Sequence, residues 1–172
     1  MKKFLSFTIA LSLSALLAAC GAEETSDESA DPEGTVTYES EFGPVEVPVN
    51  PERIVALAYA PNLHSLDIEM AGVDQWTKGS PLFEEDLADT AEVTEAEPES
   101  ILAEDPDLII AGANMENLEE LEKIAPTVTY TWGKLNYLEQ QIEIGKLVGK
   151  EDEAREWAED FEKRAADIGS QI

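Results

Sequence analysis

Hydrophobic and polar positions along the chain change period repeatedly, which predicts strands and helices in alternation. Residues 35–39 and 45–49 alternate polar and apolar side chains around Phe42-Gly43-Pro44, which predicts a β-hairpin. Nearly continuous apolar runs rich in β-branched residues are typical of strands buried on both faces. Such runs occupy residues 53–58 and 107–111. A further strand with alternating side chains is predicted at 127–131, and a weaker one at 73–77.

Helical periodicity fills the segments between these strands. Helices are predicted from a cap at Asn62 to Ala71 with Gly72 at the end, and at 98–104, 116–124, 135–148 and 152–168. Strands alternating with helices indicate βαβ units, so the predicted fold class is α/β with a mostly parallel sheet. Ligands of such sheets bind beyond the carboxyl ends of the strands, which directs attention to loops 59–62, 76–81, 112–114 and 132–136.

The N-terminal segment has the pattern of a bacterial lipoprotein signal. Lys2 and Lys3 precede the apolar run 4–19, and Leu17-Ala18-Ala19-Cys20 places small residues before a cysteine. The run is shorter than the roughly 20 apolar residues that a spanning helix needs. We therefore expect removal of residues 1–19, acylation (palmitate) of Cys20, and a protein exported and anchored to the outer face of the cell membrane. The alternative is a membrane anchor or core helix that ends in a lone cysteine.

Residues 20–34 contain acidic and small polar residues and no apolar side chain larger than alanine after Cys20, which predicts a flexible linker. The whole chain of 172 residues has 38 acidic and 11 basic residues and a net charge of −27. Nucleic acid is disfavoured as a partner because a basic footprint is missing. The acidity fits a saline or alkaline habitat or a generic acidic exported protein. Cys20 is the only cysteine, so the fold has no internal disulfide.

Five sequence blocks, taken in order, resemble the iron-siderophore substrate-binding lipoproteins of ABC importers, and the last two are closest to the ferric hydroxamate type that binds ferrichrome and ferrioxamine. The similarity covers roughly residues 35–172. The blocks are Asn50-Pro51-Glu52-Arg53-Ile54-Val55, Glu99-Ser100-Ile101-Leu102-Ala103 with Pro106-Asp107-Leu108-Ile109-Ile110, Lys123-Ile124-Ala125-Pro126-Thr127-Val128, Tyr137-Leu138-Glu139-Gln140-Gln141, and Gly145-Lys146-Leu147-Val148-Gly149-Lys150-Glu151.

The resemblance implies a helical-backbone periplasmic-binding-protein fold, in which two lobes are joined by one long helix and hold the ferric siderophore between them. Residues 35–150 would be the N-terminal substrate-binding lobe, residues 151–172 would begin the interlobe helix, and the second lobe would be absent from this sequence. The implied protein is a monomer that delivers its ligand to an ABC permease and carries no cofactor. The resemblance also implies that Glu99 docks on a permease arginine, whereas by itself it is an acid favoured at a helix N-terminus.

A ferric hydroxamate has a saturated iron, so a binding site needs aromatic faces and a few hydrogen bonds rather than metal ligands. Tyr130 falls within an alternating strand and is expected in the core rather than in the cleft. The candidate ligand-binding residues lie at or beside the predicted strand ends: Tyr59, Trp76, Lys78, Asn114 and Trp132.

Other functions find less support in the sequence. His64 is the only histidine and has no ligand-spaced partner, so no metal site is expected, and the absence of nucleophile or phosphate-loop motifs argues against an enzyme. The same fold could hold a catecholate siderophore, cobalamin or haem. An anionic catecholate usually requires an arginine cluster, and the candidate loops contain only Lys78 and Lys134. A further alternative is a truncated acidic lipoprotein that acts only as an interaction module.

Overall fold

The computed structural model of the protein describes residues 34–171. The predicted signal peptide at 1–19, the lipidation site Cys20 and the linker up to residue 33 lie outside the described residues and stay predictions. None of the helices within 34–171 is both long enough and apolar enough to cross a membrane.

The predicted hairpin is present as strand β1 (Thr35–Ser40) paired antiparallel with strand β2 (Gly43–Pro48). Ser40 is opposite Gly43, so Glu41 and Phe42 form the turn, one position earlier than the sequence pattern suggests. Gly43 has a φ of 120°, a conformation that L side chains rarely adopt, and this places the glycine immediately after the turn. The turn matters below because Glu41 reaches the candidate site.

A second, five-stranded sheet forms the centre of the fold, and every pairing in it is parallel. The spatial order is β5-β4-β3-β6-β7. This confirms the predicted α/β class. The strands are β3 (Ile54–Ala56), β4 (Met70–Val73), β5 (Ala91–Glu92), β6 (Leu108–Gly112) and β7 (Thr127–Tyr130).

Six helices connect or follow these strands within the described residues. They are α1 (Ala60–His64), α2 (Gln75–Lys78), α3 (Pro98–Leu102), α4 (Leu118–Leu121), α5 (Tyr137–Leu147) and α6 (Glu151–Gly169). The two long helices α5 and α6 agree with their predicted ranges, whereas α1 and α4 are shorter than the periodicity indicated.

The segment from Asn62 to Lys78 differs from the prediction. The predicted helix through Ala71 ends at His64, and residues 70–73 form strand β4 instead. Gly72 explains the change, because a Cβ there would lie 3.1 Å from the Val93 side chain, so the glycine serves close packing inside the sheet rather than a helix end. The weak strand predicted at 73–77 is helix α2, whose first turn is capped by the Asp74 carboxylate.

Two apolar clusters lie on the two faces of the parallel sheet. Alternate residues of β3 face opposite ways, so Ile54 and Ala56 join one cluster and Val55 joins the other. The first cluster includes residues of the hairpin, α1 and α5, and the second includes residues of α3 and α4. The helices that follow β3 and β7 therefore cover one face, and the helix that follows β6 covers the other.

Helix α6 packs against α5 through a close approach at Gly145. A Cβ at Gly145 would lie 2.3 Å from the Ala154 Cβ and 2.7 Å from the Lys150 carbonyl oxygen, so a larger residue does not fit there. Beyond Ala158 every residue up to Gly169 is exposed, although Phe161 still contacts the Tyr137 ring.

Candidate functional site

The candidate site is a pocket at the carboxyl ends of β3, β6 and β7, with a volume of about 510 Å³. The chain runs outward from β3 through β4 to β5 and then crosses back to β6 on the other side of β3, so the pocket lies where the direction of the sheet reverses. None of the described residues that line it carries a charge. They are Ala58, Tyr59, Pro61, Asn62, Gly112, Asn114, Met115, Tyr130, Trp132, Gly133, Leu135, Asn136, Tyr137 and Gln140.

Tyr59 forms the wall that follows β3. Its backbone is left-handed, with a φ of 62°, and it stands where α1 begins. The Leu57 and Ala58 amides, just before it, both donate to the Ile110 carbonyl oxygen of β6, which fixes this loop against the neighbouring strand. Burial, with a smaller contribution from Glu41, raises the pKa of the Tyr59 hydroxyl. Tyr59 is therefore an uncharged aromatic wall.

The floor of the pocket is Tyr130, which is 1% exposed. Its ring meets the Tyr59 ring edge to face, with 5.5 Å between centroids. The Tyr38 hydroxyl donates to the Glu143 carboxylate at 2.5 Å, so the Tyr130 hydroxyl donates to Tyr38 at 3.0 Å. Burial raises the pKa of both buried tyrosines and keeps them neutral. The sequence-based prediction that Tyr130 belongs to the core is confirmed, and the residue is also part of the pocket lining.

The rim is Trp132, which is 86% exposed and follows β7. The hairpin turn braces the start of this loop, because the Glu41 carboxylate accepts from the Thr131 amide at 3.3 Å and pairs with the Lys134 ammonium at 3.3 Å. The other Glu41 oxygen, Oε1, is buried and has no hydrogen-bond partner among the described residues. A neighbouring open hollow of about 730 Å³ shares Asn114 and Trp132 with the pocket, so Trp132 separates two concave surfaces.

Asn114 lines the pocket from the loop after β6. A Cβ on Gly112 would lie 3.0 Å from the Asn114 Oδ1 atom, so the glycine leaves room for this side chain. The structure thus brings together three of the five candidate ligand-binding residues, namely Tyr59, Asn114 and Trp132, from the loops after β3, β6 and β7.

The other two candidates, Trp76 and Lys78, lie on α2 after the neighbouring strand β4 and do not line the pocket. Trp76 is 82% exposed. The Lys78 ammonium donates to the carbonyl oxygens of Leu87, to Ala88 at 2.9 Å and to Thr90 at 2.7 Å. Lys78 therefore holds segment 87–90 in place, and its three donors are used within the fold rather than directed at a ligand.

Pocket residues at the start of α5 were not named as candidates from the sequence, although Asn136 ends the predicted loop 132–136. Asn136, Tyr137 and Gln140 line the pocket because α5 begins at its edge. The Asn136 side chain accepts from the Leu138 and Glu139 amides, while the Glu139 carboxylate accepts from the Asn136 amide, which is a capping box. An asparagine followed three residues later by a glutamate was the signal that could have placed this helix start.

The remaining candidate, Glu99, is exposed in the first turn of α3, after Pro98. Because α3 follows the carboxyl end of β5, Glu99 lies toward the same edge of the sheet as the pocket. Within residues 34–171 no group of three or more histidine, cysteine or acidic side chains is arranged to hold a metal ion. His64 instead lies 3.3 Å from the Asp86 carboxylate and packs against the Phe83 ring.

Comparison with known proteins places this geometry among binding proteins. Residues 54–172 match the family model described as "Periplasmic binding protein". The iron(3+)-hydroxamate-binding protein FhuD of Bacillus subtilis (strain 168) is 34% identical over 99% of this chain and 56% of its own length. Unliganded FhuD2 of Staphylococcus aureus has 33% identity and a TM-score of 0.76, covering 80% of this chain and 51% of that one.

The same S. aureus protein has also been solved with bound ferrioxamine B, and that structure matches with 32% identity and a TM-score of 0.67. The match covers 70% of this chain and 48% of that one. The chain therefore spans about half the length of the relatives it matches.

Proposed function

This chain belongs to the periplasmic binding protein family, and we propose that it supplies the ligand-capturing lobe of an ABC importer's substrate-binding component, which takes up iron as a ferric siderophore. The observation that carries the proposal is the uncharged aromatic pocket at the reversal of the sheet. A ferric chelate arrives with its iron already coordinated, so the pocket needs faces for packing and a few hydrogen bonds. Tyr59 and Trp132 offer those faces, and the buried Tyr130 ring supports Tyr59 from below.

The charge of the pocket favours a hydroxamate over a catecholate chelate. A ferric catecholate complex is strongly anionic, and burying an anion without a cationic partner is costly. Lys134 lies beside the pocket lining but is paired with Glu41, and the Lys78 donors are used by backbone carbonyls. A ferric hydroxamate avoids this cost because its iron centre is neutralised by its hydroxamate groups. The relatives named above are an iron(3+)-hydroxamate-binding protein and a protein solved with bound ferrioxamine B.

We propose further that the pocket is one wall of a larger cleft. The exposed face of Trp132 and the openness of the neighbouring hollow fit a surface that a second lobe covers when ligand is bound. In this arrangement residues 35–150 form the lobe described here, and α6 is the beginning of the connection to the other lobe. The relatives are about twice as long as this chain, which supports the proposal.

A fluorescence titration tests the proposed ligand. Tryptophan emission of the purified chain is followed while ferrioxamine B or ferric enterobactin is added, with iron-free desferrioxamine B as the control for the bare organic ligand. Saturable quenching by ferrioxamine B, which is lost or shifted in Trp132→Phe, is the expected result. Stronger binding of ferric enterobactin would contradict the hydroxamate assignment, and quenching by neither would contradict siderophore capture by this chain.

Export and anchoring are part of the same proposal. Cys20 is the acylation site that would keep the lobe close to its permease. Mass spectrometry of protein extracted from membranes is expected to show a diacylglyceryl-modified Cys20 at the new N-terminus. A Cys20→Ser chain is expected to leave the membrane fraction, and retention of that variant in the membrane would contradict the anchor.

Glu99 is proposed to dock the loaded lobe on a basic residue of the permease. Its exposure near the pocket edge leaves the carboxylate accessible to a partner. Glu99→Arg is expected to reduce uptake of radiolabelled iron by cells while chelate affinity in solution is unchanged. Glu119→Arg is the matched control, since Glu119 is also exposed in the first turn of a short helix. Equal uptake by the two variants would contradict the docking role.

A further inference from the structure

Two adjacent glutamines of α5 have the same functional group but different surroundings. Gln141 is fully buried and bonded to α1, because its Oε1 accepts from Asn62 Nδ2 at 2.8 Å and its Nε2 donates to the Asn62 carbonyl oxygen at 3.1 Å. Both ends of the Gln141 amide are therefore used to hold two helices together. These bonds give Gln141 a structural role.

Gln140 is also buried, with 7% of its surface exposed, and it is one of the residues that line the pocket. Its Nε2 atom has no hydrogen-bond partner among the described residues. Nearly all buried polar groups in folded proteins have a partner, and one left without costs stability. A buried amide donor kept at the wall of a binding pocket is explained if its partner is a ligand.

The surroundings of Gln140 indicate which kind of ligand atom it meets. The capping box already uses the Leu138 and Glu139 amides, so those groups of the α5 N-terminus are not offered to an anion. The second buried polar atom without a described partner, Glu41 Oε1, belongs to a residue outside the pocket lining. A neutral donor among uncharged neighbours favours an uncharged oxygen acceptor such as a carbonyl or hydroxamate oxygen.

We propose that Gln140 is a specificity-determining residue, whose buried side-chain N–H turns toward the pocket when the ferric chelate binds and donates to one of its oxygen atoms. The proposal rests on the function proposed above and assigns a residue of the same pocket. It accounts for the difference between the two glutamines, since the Gln141 amide bonds within the fold and the Gln140 amide is proposed to bond to the ligand.

Gln140→Leu tests the proposal, because leucine keeps most of the volume and removes the amide. We expect affinity for ferrioxamine B to weaken about tenfold, the size of one buried hydrogen bond. The thermal midpoint of the ligand-free variant is expected to stay the same or rise, since replacing an unpaired buried donor by an apolar group is neutral or stabilising. Gln140→Glu, which has lost the N–H donor and gained an acceptor charge, is expected to bind more weakly still.

Two matched substitutions separate a ligand role from a structural one. Gln141→Leu is expected to lower the thermal midpoint, because it leaves the Asn62 amide without its partner. Gln171→Leu, at an exposed position beyond α6, is expected to change neither midpoint nor affinity.

The outcomes distinguish this inference from the function on which it rests. Wild-type affinity for ferrioxamine B in Gln140→Leu would overturn the role of Gln140 and leave the proposed function standing. The same conclusion would follow if the ligand-free variant had a lower thermal midpoint and this destabilisation accounted for the whole loss of binding. Absence of ferrioxamine B binding by the unmodified chain would overturn the proposed function and the assignment of Gln140 with it.

Discussion

Two regions of the molecule stand at the same edge of the parallel sheet and each presents a tryptophan that is more than 80% exposed. One is the pocket region after β3, β6 and β7, with Trp132 at its rim, and the other is the α2 region after β4, with Trp76. Only the first is lined by residues of three separate loops. The α2 region instead directs its lysine inward to backbone carbonyls.

The difference follows from where the chain reverses direction in the sheet. The helices after β3 and β7 cover one face of the sheet and the helix after β6 covers the other, so the loops that lead to them separate and leave a concave surface. No such divergence accompanies β4, whose connection continues outward to β5. The carboxyl edge of a parallel sheet therefore identifies candidate loops, and the point of reversal selects among them.

The largest expected effect is on stability, and it tests how much the pocket region contributes to the folded core. Tyr130→Ala is expected to lower the free energy of unfolding by about 3–5 kcal/mol, because a buried aromatic ring is lost and a cavity remains. Trp76→Ala is expected to change it by less than about 0.5 kcal/mol. Urea denaturation of both variants measures the two values, and similar losses would erase the contrast between the regions.

Chelate binding should separate the two exposed tryptophans. Trp132→Ala is expected to weaken ferrioxamine B binding by about 30-fold, or about 2 kcal/mol, because an aromatic anchor of the ligand is removed. Trp76→Ala is expected to retain wild-type affinity. Isothermal titration calorimetry is the suitable measurement, since both changes alter the fluorescence signal. A larger loss of affinity in the Trp76 variant would indicate that the chelate binds near α2 instead.

The lysine of the α2 region is expected to matter for stability and not for ligand. Lys78→Met removes the charged donor for three carbonyl oxygens, and we expect the free energy of unfolding to fall by about 1.5–2 kcal/mol. Lys163→Met is the control, since Lys163 is exposed on α6. Unchanged stability with weakened chelate binding in Lys78→Met would restore Lys78 as a ligand residue.

Alkaline pH is expected to weaken the support beneath the pocket. Burial raises the folded-state pKa of Tyr130 above the ordinary value of 10.0, so the folded state keeps the proton that the unfolded state loses. Stability is full below pH 10 and falls as the pH rises beyond it, by about 1.4 kcal/mol per pH unit for this residue. Thermal melts should show a shallower decline in Tyr130→Phe, and an identical decline would exclude Tyr130 as a cause.

The sequence predicted the architecture well where side-chain patterns are strong. The strands at 54–56 and 108–112 have continuous apolar runs, the strand at 127–130 alternates, and the helices α5 and α6 have long periodic patterns. In each of these elements local chemistry and tertiary packing agree. The prediction for segment 62–78 was wrong because Gly72 has the pattern of a helix end but packs inside the sheet against Val93. Strand β5, with two residues, carries too little pattern to detect.

The candidate site was only partly accessible to sequence reasoning. Tyr59, Asn114 and Trp132 could be named because they lie at or beside the ends of predicted strands. Trp76 and Lys78 met the same criterion, and only the strand order shows that they lie away from the reversal point. Gln140 lies four residues into a helix, and its missing partner depends on the three-dimensional position of every neighbour, so no local pattern identifies it.

The tight contact between Gly145 and Ala154 has a mechanical consequence. Any tilt of α6 would pivot at this contact, because Gly145 has no side chain that could yield between the α5 backbone and the Ala154 Cβ atom. Helix α6 extends beyond it as a lever arm of about 22 Å, so a tilt of about 5° displaces the far end by about 2 Å. The stacked rings of Trp157 and Phe161 bear on Tyr137 at the pocket rim, so the same tilt would be transmitted to the pocket.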